Sequence, residues 1–428
     1  MTVPSPRRSP AKYRARVWPG VLTAALTATV TVMPGFAVGA LAPGIGSELR
    51  MSRTGLGLSM TAFYAATALG SPLAKRTAAR LPTHTTLATA SLIAAAVMLG
   101  VSRAGDAATL TALLVVGGLG NALVQPAAGR LIVAGVPGHR RSLAAGTVGA
   151  ALAAATLVPG LLVAFAVPGH GWRTAMTVAG LVAMIPAALT PLTVPRTGTP
   201  ATPTVRPTAS RSVGPVLALW ALAAALSAAG NNAVATYFVQ LGAEAGLSGT
   251  LTGNLLSLSA LCAIAVRLAA GALTDRAPHH NPAVITAMMA TGGIGLALIS
   301  TGSPTAFLAG AVLAFSAGWG WTGLLLAAAL RLVPDKAEHA GHTVQVGIYT
   351  GATVAPFAFA ALTGAVGFAG ASLAAATAAF AGAAATTAGA FLLRSPGRPT
   401  PASAPGGTGP SAAPHSPVRA TGPTSGED

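Results

Sequence analysis

The sequence predicts an all-α integral membrane protein with twelve transmembrane helices in two pseudo-symmetric six-helix bundles. Three observations carry this expectation. Hydrophobic residues make up 53% of the 428 residues and charged residues only 8%, where a soluble domain carries roughly 25%. A chain this long and this apolar cannot cover itself with a water-compatible surface, so its solvent is lipid. Apolar runs of about 20 residues, enough to cross a bilayer, recur along most of the sequence. The two halves also repeat: displaced by 200 positions, Leu73 meets Leu273, Arg76 meets Arg276 and Pro82 meets Pro282. Parallel repeats of this kind are found in one large class of secondary transporters.

The runs fall at 17–43, 54–74, 84–101, 107–131, 142–167, 172–194, 213–239, 250–274, 282–302, 305–331, 341–366 and 368–393. They are continuously apolar rather than alternating and too long for tilted barrel strands, so they read as helices. Residues 1–16 read as a basic cytoplasmic tail before an uncleaved first span, because the apolar run exceeds the core of about 7–15 residues typical of a signal peptide. Residues 17–194 form the first bundle and 213–394 the second. The Pro/Thr/Arg-rich stretch 195–212 between them reads as a cytoplasmic linker. From 395 to 428 the Pro/Gly/Ser/Thr/Ala composition predicts a disordered cytoplasmic tail. Pro34, Pro126, Pro159, Pro186 and Pro356 lie inside spans, where proline removes a backbone bond and bends a helix. Pro159 and Pro356 occupy matching places in spans five and eleven.

A net charge of +17 suggests nucleic acid in a soluble protein, but its distribution points elsewhere. With the N-terminus inside, 21 of the 25 Lys and Arg residues fall at or near the cytoplasmic side, and only Arg50, Arg53, Arg103 and Arg173 fall outside. That is the positive-inside bias of a multi-pass plasma-membrane protein, not a basic face built for nucleic acid. The expected partners are the bilayer, a small-molecule solute and, as an open option, a coupled ion; the chain is expected to be a monomer without cofactor.

Motifs for catalysis and metal binding are missing. Cys262 stands alone, which excludes an intrachain disulfide and a cysteine metal site. None of the three lysines (Lys12, Lys75, Lys336) sits in a phosphate loop that would couple transport to ATP, and no His-Glu-x-x-His occurs. With no catalytic cluster, an enzyme is not expected.

All eight acids, Glu48, Asp106, Glu244, Asp275, Asp335, Glu338, Glu427 and Asp428, lie outside the predicted hydrocarbon. A buried carboxylate usually serves as the proton relay or cation counter-ion of a pump. Its absence speaks against cation export and leaves anions, zwitterions and neutral solutes. Arg267 is the one ionisable group clearly within a span. It lies eight residues before Asp275, about 12 Å of helix, and needs a partner there. That partner is a carbonyl, a polar side chain, water or a substrate anion; the alternative is an arginine that braces helix packing. Asn121, Gln125, Asn231, Asn232, Tyr237, Gln345 and Tyr349 are further polar groups in or near spans, with Gln240 and Asn254. Unpaired amides are costly in lipid, so they should face the bundle interior. Asn121 and Gln125 share a helix face, as do Gln345 and Tyr349; each pair either lines a cavity or bonds helix to helix. Trp319 and Trp321 lie too deep for an interfacial belt on these boundaries; they read either as a cavity wall or as a sign that the boundaries are misplaced.

At this point the residues resemble a family. Gly271-Ala-Leu-Thr-Asp275-Arg276 is similar to the second-half copy of the conserved loop of the major facilitator superfamily. Gly118-Leu-Gly120-Asn-Ala-Leu-Val-Gln125-Pro126, Val136-Pro137-Gly-His-Arg140-Arg141 and Gly171-Trp172-Arg173 follow that superfamily's course through spans four to six. Gly318-Trp319-Gly320-Trp321 with Val333-Pro334 fits as well. The resemblance covers about residues 17–394, and its flavour is that of the cyanate/nitrate-permease-like branch. It implies the major facilitator fold, alternating access, and gate roles for Gly271, Asp275 and Arg276, with Lys75, Arg76 and Arg130 on the first-half side. It also implies that Arg267 resembles an arginine that contacts anionic substrate in nitrate carriers. The departures are specific. Thr67 stands at the first-half counterpart of Arg267, so a two-arginine clamp is missing. Lys75 replaces the expected acid, Leu114 stands near the place of the span-four arginine of proton-coupled members, and Val158 precedes Pro159 where antiporters favour glycine. The expected function is secondary active transport of a small anion or neutral metabolite. Export of drug-like amphiphiles is the alternative, and a non-transporting membrane sensor a remote one.

Overall fold

Every regular element in the described residues is a helix, and each begins or ends where the local chemistry requires. The computed structural model describes residues 17–137, 140–195, 214–274, 280–333 and 337–394. Span 1 is Val17–Ala40, followed by the short helix Ala42–Glu48; span 2 is Arg53–Arg80, and span 3 is Thr83–Val101. Span 4 comprises Ala107–Ala122 and Val124–Gly135. Span 5 comprises Arg141–Gly149, Ala151–Leu161 and the π-helical turn Leu162–Ala166. Span 6 is the part of Val167–Thr193 beyond Gly171. Span 7 is Gly214–Thr236, continued by Phe238–Glu244, span 8 is Gly249–Thr274, span 9 Asn281–Ser300 and span 10 Pro304–Leu332. Ala337–Arg394 holds spans 11 and 12, divided at Gly367.

Two glycines make the tightest reversals. Gly171 has φ 72° and ψ 175°, and Gly367 has φ 70° and ψ 178°, a conformation that a Cβ disfavours. Other boundaries use caps. Ser52 accepts the amide of Gly55 at 3.0 Å to start span 2. Asp106 accepts Thr109 N and Thr109 Oγ1, each at 2.8 Å, to start span 4, which holds its carboxyl below the usual range. Pro282 and Pro304 sit in the first turns of spans 9 and 10, where a missing N–H costs nothing.

Nine stretches of the described residues are long and apolar enough to cross a membrane. Two of them, Leu143–Thr193 and Ala340–Leu393, contain the reversals at Gly171 and Gly367 and are two passes each. Arg53–Arg80, with charged residues at its ends, supplies the remaining pass. Span 2 also corrects a boundary: Lys75 and Arg76, expected just beyond a span, are helical, and the helix ends only at Arg80, before Pro82. Proline disfavours the helical region for the residue before it, so the stop falls there. The expected linker, both tails, Asp275 and Arg276 lie outside the described residues.

Packing divides the molecule unequally. The end carrying Val17, Thr193 and Gly214 is termed the terminal end, and the opposite one the hairpin end. At the hairpin end one apolar core runs through both bundles, joining Phe36, Phe63 and Met98 to Phe238, Trp319 and Phe359. At the terminal end there are two cores. One belongs to the first bundle, around Val17, Leu87 and Leu131, and the other to the second, around Trp220, Trp321 and Leu325. The bundles are fused at one end and parted at the other.

The hairpin end is further tied by polar contacts. Glu48 accepts the indole N–H of Trp172 at 2.6 Å and Nε of Arg173 at 2.8 Å, and Arg173 also donates to Ser102 O at 2.8 Å and Ala104 O at 2.9 Å. Arg173 first, then Trp172, hold the Glu48 carboxyl below its ordinary value. A depressed carboxylate adds stability above its unfolded-state pKa, and that stability is lost as pH falls through its folded-state pKa. Thermal melts across acid pH are therefore expected to fall less steeply in Glu48→Gln than in the wild type; identical slopes would show that the cluster carries no such linkage.

Candidate functional site

Arg267 sits where the single core divides into two. The residue is 7% exposed. Nη1 donates to Gly149 O of span 5 in the opposite bundle, and Nη2 donates to Trp319 O of span 10 at 2.6 Å. Nε has no partner. Span 5 breaks at Ala150, where Ala153 N turns to Ala150 O at 3.1 Å, and the carbonyl beside that break is the one Arg267 takes. The described ion pairs, Arg53–Glu244 at 3.9 Å and Arg173–Glu48 at 2.8 Å, both lie at the hairpin end. Arg267 is thus a buried cation whose described partners are carbonyl dipoles, placed across the two bundles.

From Trp319, whose carbonyl Arg267 takes, an aromatic run extends. Trp319 packs against Phe36 of span 1 with ring centroids 5.5 Å apart and against Phe315 at 5.6 Å. Phe36 continues to Tyr64 at 6.4 Å, whose buried hydroxyl is unpaired. Asn231 donates to Gly318 O at 2.6 Å, and its Oδ1 is buried without a partner. Asn231 of span 7 and Arg267 of span 8 therefore reach adjacent carbonyls on the same turn of span 10.

The other expected residues are dispersed. Trp321 is 1% exposed inside the terminal-end core of the second bundle and does not stand beside Trp319. Asn232 bonds within its own helix, donating to Ala228 O at 2.9 Å. Tyr237 lies at the hairpin end, stacked on Phe359 at 5.2 Å and donating to Pro356 O at 3.1 Å. Asn121 accepts Thr31 Oγ1 at 3.1 Å and donates to Thr67 Oγ1 at 3.3 Å, tying spans 1, 2 and 4. Gln125, on the same face one turn on, is exposed. The burial of one and the exposure of the other mark the same division between ends. Gln345 and Tyr349 are half-buried, one turn apart on span 11. Of the expected gate residues, Gly271 has open space around its Cα, Lys75 and Arg76 are exposed, and Arg130 donates to Leu81 O at 3.2 Å.

The family model described as Major Facilitator Superfamily matches residues 24–344. The chain belongs to the Major Facilitator Superfamily. As a member it is a multi-pass membrane transporter, and its passes are the superfamily's twelve helices in two bundles. Two solved structures of a bacterial homologue of the human lysosomal transporter Spinster are similar to this facilitator. One is inward-facing and unoccupied, with a TM-score of 0.63 over 89% of this chain and 96% of that one. The other is inward-facing and occupied, with a TM-score of 0.62 over 89% and 95%. Both are 16% identical in sequence, which makes the likeness one of fold. Among curated proteins no sequence matches this facilitator.

Sequence reasoning passed over Phe36, Tyr64, Thr61 and Ser257. Phe36 and Tyr64 carry no local motif. Thr61 and Ser257 each follow a glycine by four residues, Gly57 and Gly253, and those two glycines are 196 positions apart; that spacing was the available signal.

Proposed function

We propose that this chain is a secondary active transporter of a small anion, moving it across the plasma membrane by alternating access. The two bundles, 17–194 and 213–394, would rock about the level of Arg267, joined by the 195–212 linker. The observation that carries the reading is Arg267 itself. A cation held in a span by carbonyls alone, with no described carboxylate beside it, is electrostatically unfinished, and an anion arriving at the fork completes it. Asn231, which donates to Gly318 O next to the carbonyl that Arg267 takes, supports the same reading. So does the likeness of Arg267 to an arginine that contacts anionic substrate in nitrate carriers. With Thr67 in place of a second arginine, one cation serves a singly charged or small anion better than a multiply charged one. With both termini cytoplasmic, as the charge distribution favours, the parted end faces the cytoplasm. A monomer suffices, and an exchanged anion can take the place of a coupled cation.

A second reading, export of an amphiphile, is favoured by the aromatic run Tyr64–Phe36–Trp319–Phe315 beside the fork. Counterflow separates the two. Proteoliposomes preloaded with unlabelled nitrate, cyanate, formate or lactate are expected to accumulate the labelled counterpart of at least one of them. Accumulation of none, with uptake of a cationic dye instead, would transfer the assignment to the second reading.

A further inference from the structure

Two contacts between the bundles at the hairpin end repeat each other residue for residue. On span 2, Gly57 faces span 11 so closely that a Cβ would lie 2.7 Å from Pro356 O. One turn further, Thr61 Oγ1 donates to Thr353 O at 2.7 Å and accepts Phe357 N at 3.3 Å. On span 8, Gly253 faces span 5, and a Cβ there would lie 2.6 Å from Gly160 O. One turn further, Ser257 Oγ donates to Leu157 O at 3.2 Å and to Gly253 O at 3.1 Å. A displacement of 196 positions converts Gly57 to Gly253, Thr61 to Ser257, Leu157 to Thr353 and Gly160 to Pro356. The same displacement carries Gly171 to Gly367. In this register the two in-span prolines, Pro159 and Pro356, are offset by one residue.

The chemistry of the two contacts suits a seal that opens. Glycine admits close approach of the backbones, and the hydroxyl four residues on then reaches the facing helix. It meets that helix near an in-span proline, whose ring supplies no N–H to the helix. Thr353 O and Phe357 N are four residues apart, the pair that a straight helix bonds together. Thr61 occupies both ends of that pair. When the bundles separate, each of the two still has the other as its partner along the helix, so no backbone group is stranded. Ser257 already shares its proton with Gly253 O on its own helix and keeps that partner when Leu157 withdraws. Each bond has a replacement within reach.

We propose that Thr61 and Ser257 are paired gating residues of the transport cycle, two hydroxyl seals related by the internal repeat that close the hairpin end together and open together. The inference rests on the rocking of the two bundles and not on the anion assignment, so its test needs no substrate. In a Cys262→Ser background, Gly105→Cys and Thr301→Cys place spin labels in exposed hairpin-end loops, one on each bundle. Double electron–electron resonance on the purified full chain then reads their separation.

The wild type is expected to show a dominant short distance. In Thr61→Val and in Ser257→Ala the ratio of separated to sealed molecules should rise roughly three- to tenfold, the factor one net hydrogen bond is worth. The double variant should multiply the two factors. Thr61→Ser and Ser257→Thr, which keep a hydroxyl, should restore the wild-type distribution. Thr61→Ala provides a second removal should valine not be accommodated. A distribution unmoved by either loss of hydroxyl, a response at only one of the two sites, or a lower melting temperature with unchanged distances would each overturn the proposal.

Discussion

Arg267→Met is expected to abolish small-anion exchange, with at least a tenfold loss of counterflow, while the melting temperature stays level or rises. The two halves of this expectation have separate causes. Methionine keeps the length and flexibility of the side chain but removes the charge, so an anion drawn to the fork loses its counter-ion. Stability moves the other way, because a charge buried among carbonyls never recovers its full desolvation cost. Replacing a buried ionic group by an apolar one of similar volume is often neutral or stabilising by about 1–4 kcal/mol. A brace predicts the reverse pattern. If Arg267 only tied span 5 to span 10 through Gly149 O and Trp319 O, its loss would loosen the fold and leave exchange proportional to the folded fraction. Measuring melting and counterflow on the same preparation decides between them, and a lower melting temperature with retained exchange would remove Arg267 from the substrate site.

Gly253→Ala is expected to cut transport at least tenfold, where Gly364→Ala leaves it unchanged. Both substitutions add one methyl group to a helical glycine. At Gly364 the Cβ meets nothing within 4 Å, and the gain in helix propensity, up to about 1 kcal/mol, makes that variant neutral or slightly more stable. At Gly253 the Cβ would lie 2.6 Å from Gly160 O and 2.8 Å from Ala164 N, both backbone atoms that cannot rotate away. Overpacking of this kind costs about 1–3 kcal/mol, and here it is charged only to the state in which spans 5 and 8 touch. The cycle then stalls with the hairpin end unsealed. Equal transport by the two alanine variants would show that the close approach of these spans is not required.

The sequence made the passes legible because lipid imposes a length and a polarity that each must meet. The expected 107–131 and 282–302 correspond to Ala107–Gly135 and Asn281–Ser300. Span 2 was read too short, since Lys75 and Arg76 look like a boundary by polarity while the helix obeys the proline at 82. Arg267 stood out because a lone cation in an apolar run is chemically conspicuous. Its two carbonyl partners did not, because a backbone acceptor has no residue type. The amides were harder for the same reason. Asn121, Asn231 and Asn232 look alike in sequence, yet one ties three helices, one leans on Gly318 O and one bonds its own turn. Trp319 and Trp321 are two positions apart, which on a helix turns them about 200° from one another. That angle sends the first to the shared core and the second into its own bundle.

The shared core at the hairpin end also bears on how the protein is made. Phe36, Met60 and Phe63 are buried in a core to which Phe238, Phe315 and Trp319 also belong, and Phe36 packs directly on Trp319. Around Val17, Leu87 and Leu131 the first bundle has a core of its own. A nascent chain that has inserted six helices is therefore finished at one end and unfinished at the other. The face of Phe36 that Trp319 covers is left to lipid or an insertion factor until span 10 emerges.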